Sequence, residues 1–249
     1  MKRVVLSTVM AVVAVGLSAQ VKVVAHRGFW KTDGSAQNSL ASFSKADSIG
    51  VYGSEIDVWL TVDGELMVNH DKVFKGLPME TTPSSQLRKV ILDNGEKMPT
   101  LDEYLSLVKT KTGPRLVLEM KSLSDYNRED EAAAKIVKAL KKYDLLDRTD
   151  IIAFSLNAVM AFRKLLPEGV KIFYLDGDLT PAKVDKLKLD GIDYSVKVLK
   201  KHPEWVKKAH ESGIEVNVWT VNTEEDMKYF IDLGVDYITT DHPDQLLKL

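Results

Sequence analysis

The sequence predicts a (β/α)8 barrel with an insertion after the second strand. Three observations carry this: eight short β-branched runs, helix-period segments between most of them, and about 230 residues left for the fold once a leader-like N-terminus is set aside. An open doubly wound sheet would use the same alternation, and the count of eight favours the barrel.

Residues 1–19 read as a signal peptide. Lys2 and Arg3 form a positive head, Val4 to Leu17 form an apolar stretch too short for a comfortable membrane span, and small residues follow in "LSAQ". Cleavage is expected between Ala19 and Gln20. The mature chain, residues 20–249, is then expected as a single domain with no membrane span, in the periplasm or secreted. The chain has no cysteine, so disulfide and thiolate chemistry are excluded. Net charge is −2, and without Lys2 and Arg3 there remain 32 basic against 36 acidic side chains. No basic excess points to nucleic acid.

The predicted strands lie at 21–26, 54–60, 115–121, 150–155, 170–175, 191–196, 214–221 and 235–240. The helices between them carry start signals. Asn38 precedes Leu40, Phe43 and Ile49, and Gly50 ends that run. "TLDE" at 100–103 is a capping box. Asn127 precedes Ile136, Val137 and Leu140, and Pro181 suits a first helical position. Pro203 precedes Trp205, Val206 and Ala209; Thr223 precedes Met227, Phe230 and Ile231, with Gly234 as the stop. Residues 61–99 predict a hairpin turning at Asp63-Gly64, followed by a polar insertion.

In such a barrel the chemistry sits at the C-terminal ends of the strands. His26 and Arg27 end the first strand. Glu55 and Asp57 lie two apart on the second, and Glu119 and Lys121 two apart on the third, so each pair shares a face. Ile56, Val58, Leu118 and Met120 take the opposite faces, toward the helices. His70 closes the stretch "LMVNHD". Three carboxylates converging in the mouth, Glu55, Asp57 and Glu119, either rise in pKa or hold a cation. All-oxygen ligands select a hard ion, Ca²⁺ or Mg²⁺. Arg27 and Lys121 beside such an ion suit a phosphate. Two histidines supply the base and the acid that phosphoester cleavage needs.

These residues also carry a resemblance. "HRG", "QNSLASF", "EIDVWLTVDGELMVNHD", "LEMK", "VWTVN" and "ITTDHPD", in order from about residue 23 to 246, resemble the glycerophosphodiester phosphodiesterases. The resemblance implies a (β/α)8 barrel that hydrolyses glycerophosphodiesters to glycerol 3-phosphate and an alcohol. It implies His26 and His70 as the acid–base pair and Glu55, Asp57 and Glu119 as ligands of one divalent cation. Arg27 and Lys121 become phosphate contacts, and Trp219 part of the substrate wall or a core aromatic. One departure stands out: the family usually has Glu-Asn-Thr where this chain has Gln37-Asn38-Ser39. The expected consequence is one negative charge fewer near the metal, hence weaker metal binding, a different tolerated head group or an altered activity. Phe29 and Trp30 either shape specificity or anchor the loop after the first strand. Competing readings are a metal-free two-histidine phosphodiesterase acting on inositol phospholipids, a binding protein for a phosphorylated ligand, and a glycosidase using Glu55 and Glu119.

Overall fold

The structure is a computed structural model that describes residues 20–249, so the predicted signal peptide lies outside the described residues. Eight parallel strands form the barrel: β1 (Lys22–Ala25), β2 (Gly53–Leu60), β3 (Arg115–Met120), β4 (Thr149–Ala153), β5 (Ile172–Tyr174), β6 (Gly191–Ser195), β7 (Glu215–Trp219) and β8 (Tyr237–Thr240). Each pairs with its successor, and β1 pairs with both β2 and β8, which closes the ring.

Period-2 alternation divides every strand between two cores. Ile56, Val58, Leu118, Met120, Ile192 and Val216 point outward and bury against the helices. Val24, Val117, Ile152, Phe173 and Tyr237 point inward and fill the barrel. The N-terminal end of the barrel is closed by a polar network. The Tyr237 hydroxyl accepts from Lys22 Nζ (3.1 Å) and Lys171 Nζ (2.9 Å) and donates to Glu215 Oε2 (2.9 Å). Satisfied on all sides, this network leaves the open, C-terminal end for chemistry.

The helix signals hold in most places. Thr100 and Glu103 form the capping box, and Thr223 Oγ1 accepts from Asp226 N at 3.2 Å. Pro181 takes a first-turn position of its helix, and Gly234 ends the helix Glu224–Leu233 in the left-handed conformation with φ 83°. Two starts differ. The helix Leu40–Ser48 is capped by Ser39, not Asn38, because Asn38 is left-handed (φ 60°) and spends its amide on Asp57. The helix Tyr126–Tyr143 is capped by Asp125, whose carboxylate accepts from Asn127 N at 2.6 Å.

After β2 the chain turns at Gly64 (φ 79°) and returns as Leu66–Val68, antiparallel to β2. Two two-residue strands and the short helix Ser84–Leu87 follow. Residues 61–99 supply most of a small second core, in which Met67, Met79, Leu87, Leu92 and Met98 gather around Trp59. The Glu96 carboxylate accepts from Leu40 N (2.8 Å) and Ala41 N (3.1 Å). An anion at a helix N-terminus is favourable, and here it also pins this segment beside the loop that follows β1.

Candidate active site

The carboxylates come together because of strand register. Asp57 and Glu119 are direct partners across the β2–β3 pair, and Glu55 lies two residues earlier on the same face. One oxygen from each of Glu55, Asp57 and Glu119 lies within 4.8 Å of the others, and all three residues are buried. Burial raises Glu55 well above the ordinary carboxylate range, and the charges of Asp57 and Glu119 raise it further. Glu119 is pushed up to about 7, first by burial and then by Asp57. Burial also acts on Asp57, but Lys121, His70 and the Asn38 amide outweigh it and hold Asp57 below its usual value.

The partners of this triad are unevenly supplied. Asp57 is served twice, by Asn38 Nδ2 at 2.8 Å and Lys121 Nζ at 3.1 Å. Glu55 Oε2 accepts from Arg27 N at 2.7 Å, while Glu55 Oε1 is buried with no donor. Glu119 Oε1 has the Lys121 ammonium 2.6 Å away but no aligned hydrogen bond. Counted as ionised, three carboxylates against Arg27 and Lys121 leave one uncompensated negative charge. Oxygens without donors and unbalanced negative charge in a dry site fit a hard divalent cation.

Lys121 therefore sits on the carboxylates and not free at the mouth. An ammonium has three donors, and the triad engages two of its directions. Arg27 is held differently. Its backbone is left-handed (φ 56°), which for a non-glycine residue is a strained conformation found preferentially at functional sites. Gln37 Oε1 accepts from Arg27 Nη1 at 2.5 Å, and Arg27 Nε has no hydrogen-bond partner. Where the family usually has Glu, this chain thus gives the guanidinium a neutral partner. Arg27 Nε also lies 3.9 Å from Asp57 Oδ2, so the guanidinium borders both the triad and the cavity. Gly28 is fixed by packing: with φ 75°, a Cβ there would meet Ser42 Oγ at 2.3 Å.

Each histidine arrives by a register argument. Ala25 pairs with Thr240 across the β1–β8 seam, so the next residues, His26 and Asp241, face each other. His26 Nδ1 lies 2.7 Å from Asp241 Oδ1. Asp241 also accepts from Asn222 Nδ2 (2.8 Å) and Trp30 Nε1 (3.3 Å), and Lys31 Nζ lies 3.5 Å away. These donors and the His26 contact outweigh burial and keep Asp241 well below the usual carboxylate range. His70 is returned to the level of Asp57 by the antiparallel strand, with Asn69 N donating to Asp57 O at 3.0 Å. Its Nδ1 lies 2.9 Å from Asp71 Oδ1. Burial lowers His70 below its ordinary value despite the pull of Asp57.

His26, Arg27, Glu55, His70, Glu119 and Trp219 line one cavity of about 180 Å³. Of the catalytic, metal and substrate residues predicted from the sequence, Asp57 and Lys121 do not line it; the two are hydrogen-bonded to each other. Trp219 is a wall residue, packed edge-on against Phe154 with ring centroids 5.6 Å apart. Neither Phe29 nor Trp30 lines this cavity. Phe29 packs against the outer core, and Trp30 points its indole N–H at Asp241. Four site residues escaped the sequence reading: Asn38, Asp193, Asn222 and Asp241. The motif "ITTDHPD" held the signal for Asp241, since it follows the strand that must close against the one bearing His26.

The sequence profile of the Glycerophosphoryl diester phosphodiesterase family matches residues 26–245. A crystal structure of a glycerophosphodiester phosphodiesterase from Parabacteroides distasonis is 44% identical, with a TM-score of 0.90, covering 92% of this chain and 96% of that one. A glycerophosphodiester phosphodiesterase of Caldanaerobacter subterraneus is 30% identical over 244 residues, covering 91% of this chain and 96% of the relative. An Oleispira antarctica phosphodiesterase, solved in complex with the product sn-glycerol-3-phosphate, is 25% identical with a TM-score of 0.76, covering 91% and 95%. The chain belongs to the glycerophosphoryl diester phosphodiesterase family and is a glycerophosphodiester phosphodiesterase.

Proposed function

We propose that this enzyme hydrolyses glycerophosphodiesters to glycerol 3-phosphate and an alcohol by metal-assisted acid–base chemistry, outside the cytoplasm. The observation that carries the mechanism is the convergence, in one small cavity, of two histidines, an arginine and two members of the carboxylate triad, Glu55 and Glu119, each with a buried oxygen that accepts no hydrogen bond. One divalent cation, Ca²⁺ or Mg²⁺, held by Glu55, Asp57 and Glu119, would supply charge neutralisation to the phosphoryl oxygens. Arg27 binds the same phosphoryl group through its guanidinium, while the Lys121 ammonium, engaged by Asp57 and Glu119, fixes the triad. His70, held neutral, takes the proton from the attacking oxygen. His26, oriented through Nδ1 by Asp241, delivers a proton to the departing alkoxide. Trp219 walls the substrate. The export assignment rests on the layout of residues 1–19, and among the described residues no helix is long and apolar enough to cross a membrane.

The rival readings leave parts of the site idle. A metal-free two-histidine mechanism gives the crowded, buried triad no role and leaves Glu55 Oε1 without a partner. A binding protein has no need of two histidines in the same cavity as the triad. The test is a panel of glycerophosphodiesters bearing choline, ethanolamine, glycerol or inositol, with both products identified. Glycerol 3-phosphate from every hydrolysed member supports the proposal; a cyclic phosphate or a head-group phosphate contradicts it.

Asp241 is a positioning residue in this scheme. Asp241→Asn keeps an acceptor for His26 but removes the charge that stabilises an imidazolium. We expect kcat to fall by about tenfold or more with KM little changed, and the basic limb of the pH–rate profile to move to lower pH. An unshifted profile would show that Asp241 serves folding alone.

A further inference from the structure

A second cavity adjoins the catalytic one, and nothing in the chemistry above uses it. This groove has a volume of about 400 Å³ and runs between the loop after β1, which contributes Trp30, Lys31 and Gln37, and the insertion, which contributes Asp71, Phe74 and Asp93. His70 lines both cavities, so the two meet at a histidine of the site. Trp30 and Lys31 carry the groove on toward Asp241, the partner of His26: Trp30 Nε1 lies 3.3 Å from Asp241 Oδ1 and Lys31 Nζ 3.5 Å from Oδ2. The catalytic cavity holds about 180 Å³, below the roughly 300 Å³ at which sites enclose a whole small ligand. One arm of a two-armed diester must therefore extend beyond it, and the groove is its neighbour. Asp71 and Asp93 are 58% and 90% exposed, so the groove opens to water at its rim. That suits the arm that departs while the phosphate stays bound, which is the alcohol.

The charges around the groove say which alcohol fits. Trp30 and Phe74 are the surfaces on which a cationic head group would rest, since an ammonium within about 6 Å of a ring centroid is attracted to it. Both rings already have an ammonium of this chain beside them. Lys31 Nζ lies 5.2 Å from the Trp30 centroid and Lys75 Nζ 5.5 Å from that of Phe74. A further ammonium there would meet like charge. The carboxylates are engaged as well: Asp93 Oδ1 lies 3.4 Å from Lys75 Nζ, and Asp71 Oδ1 lies 2.9 Å from His70 Nδ1. Gln37 offers the opposite kind of contact. Arg27 Nη1 can only donate, so Gln37 must give it Oε1, which leaves the two N–H donors of Gln37 Nε2 unspent. A hydroxyl can accept from that amide and donate to the carboxylates at the rim; a trimethylammonium group can do neither.

We propose that this groove seats the departing alcohol of the substrate and favours a neutral polyhydroxyl alcohol, such as inositol or glycerol, over a cationic one, such as choline. This rests on the glycerophosphodiesterase reading of the site. Lys31 and Lys75 act against the cation, and Gln37 acts for the hydroxyl, so the preference has both a repulsive and an attractive part.

The experiment measures kcat/KM of wild type, Lys31→Gln and Lys75→Gln on glycerophosphoinositol and on glycerophosphocholine, by release of glycerol 3-phosphate. Wild type is expected to favour the inositol ester by about tenfold, and this comparison needs no variant to fold. In each variant the ratio is expected to fall by about threefold through a gain on the choline ester, the scale on which partly exposed charges act. The two substrates share the chemistry at the phosphate, so the ratio cancels any effect of Lys31 on Asp241. A wild type that cleaves the choline ester as well as the inositol ester, or a ratio unmoved in both variants, overturns the assignment of the groove. A wild type that releases glycerol 3-phosphate from neither ester overturns the functional reading itself, and this inference with it.

Discussion

Replacing His70 with alanine lowers kcat for glycerophosphodiester hydrolysis by about 10²–10⁴-fold, the usual worth of a positioned acid or base. His26→Ala does the same. Because the two act in one proton-transfer sequence, the double variant loses little more than either single one. The pH dependence separates them. Burial lowers the His70 pKa from 6.5, so its neutral form is present at neutral pH and is lost only as pH falls further. The acid limb of kcat/KM therefore lies below pH 6.5 in wild type and is absent from His70→Ala. An acid limb that persists unaltered in His70→Ala would remove His70 from the base role. His26 differs in support. Its partner Asp241 is only 13% exposed and held by further donors, while Asp71 beside His70 is 58% exposed. A rigid, charged partner suits the residue that must carry an extra proton.

The second large effect is on stability. Three buried carboxylates side by side cost the metal-free protein stability, through repulsion where ionised and through proton uptake where not, and an ion bound only by the folded state relieves it. At a free concentration 100 times its Kd, such an ion adds about 2.7 kcal/mol. For a chain of this size that corresponds to a rise in Tm of about 5–10 °C. Glu55→Gln keeps the shape and the acceptor for Arg27 N while removing one like charge. Its Tm in chelator should match or exceed that of wild type, and added Ca²⁺ or Mg²⁺ should leave it nearly unmoved. A metal-induced shift as large as wild type's in Glu55→Gln would mean that the ion binds elsewhere.

Much of this was legible before any coordinates. Strand count, the outward placement of Ile56, Val58, Leu118 and Met120, and the convergence of Glu55, Asp57 and Glu119 all follow from period-2 alternation plus a closed ring. What stayed hidden depends on registers between distant strands. Asp241 meets His26 only because β8 closes on β1 with Ala25 opposite Thr240. Asp193 enters the catalytic cavity only through the closed ring, which also sets it beside its register partner Asn217. Loop side chains were likewise out of reach. Asn38 reads as a helix cap by type, but its left-handed backbone hands that role to Ser39 and turns its amide onto Asp57. Gln37 read as a change at the metal because its partner, Arg27, could be identified only from the loop's path.

The central claim, that Glu55, Asp57 and Glu119 hold a divalent cation needed for phosphodiester cleavage, is tested most directly by measuring glycerol 3-phosphate release from glycerophosphocholine after exhaustive chelation, with the protein's metal content determined on the same sample. The account predicts that turnover is lost in the metal-free enzyme and returns as Ca²⁺ or Mg²⁺ is titrated to one ion per chain. Full turnover by enzyme shown to contain no metal would contradict it.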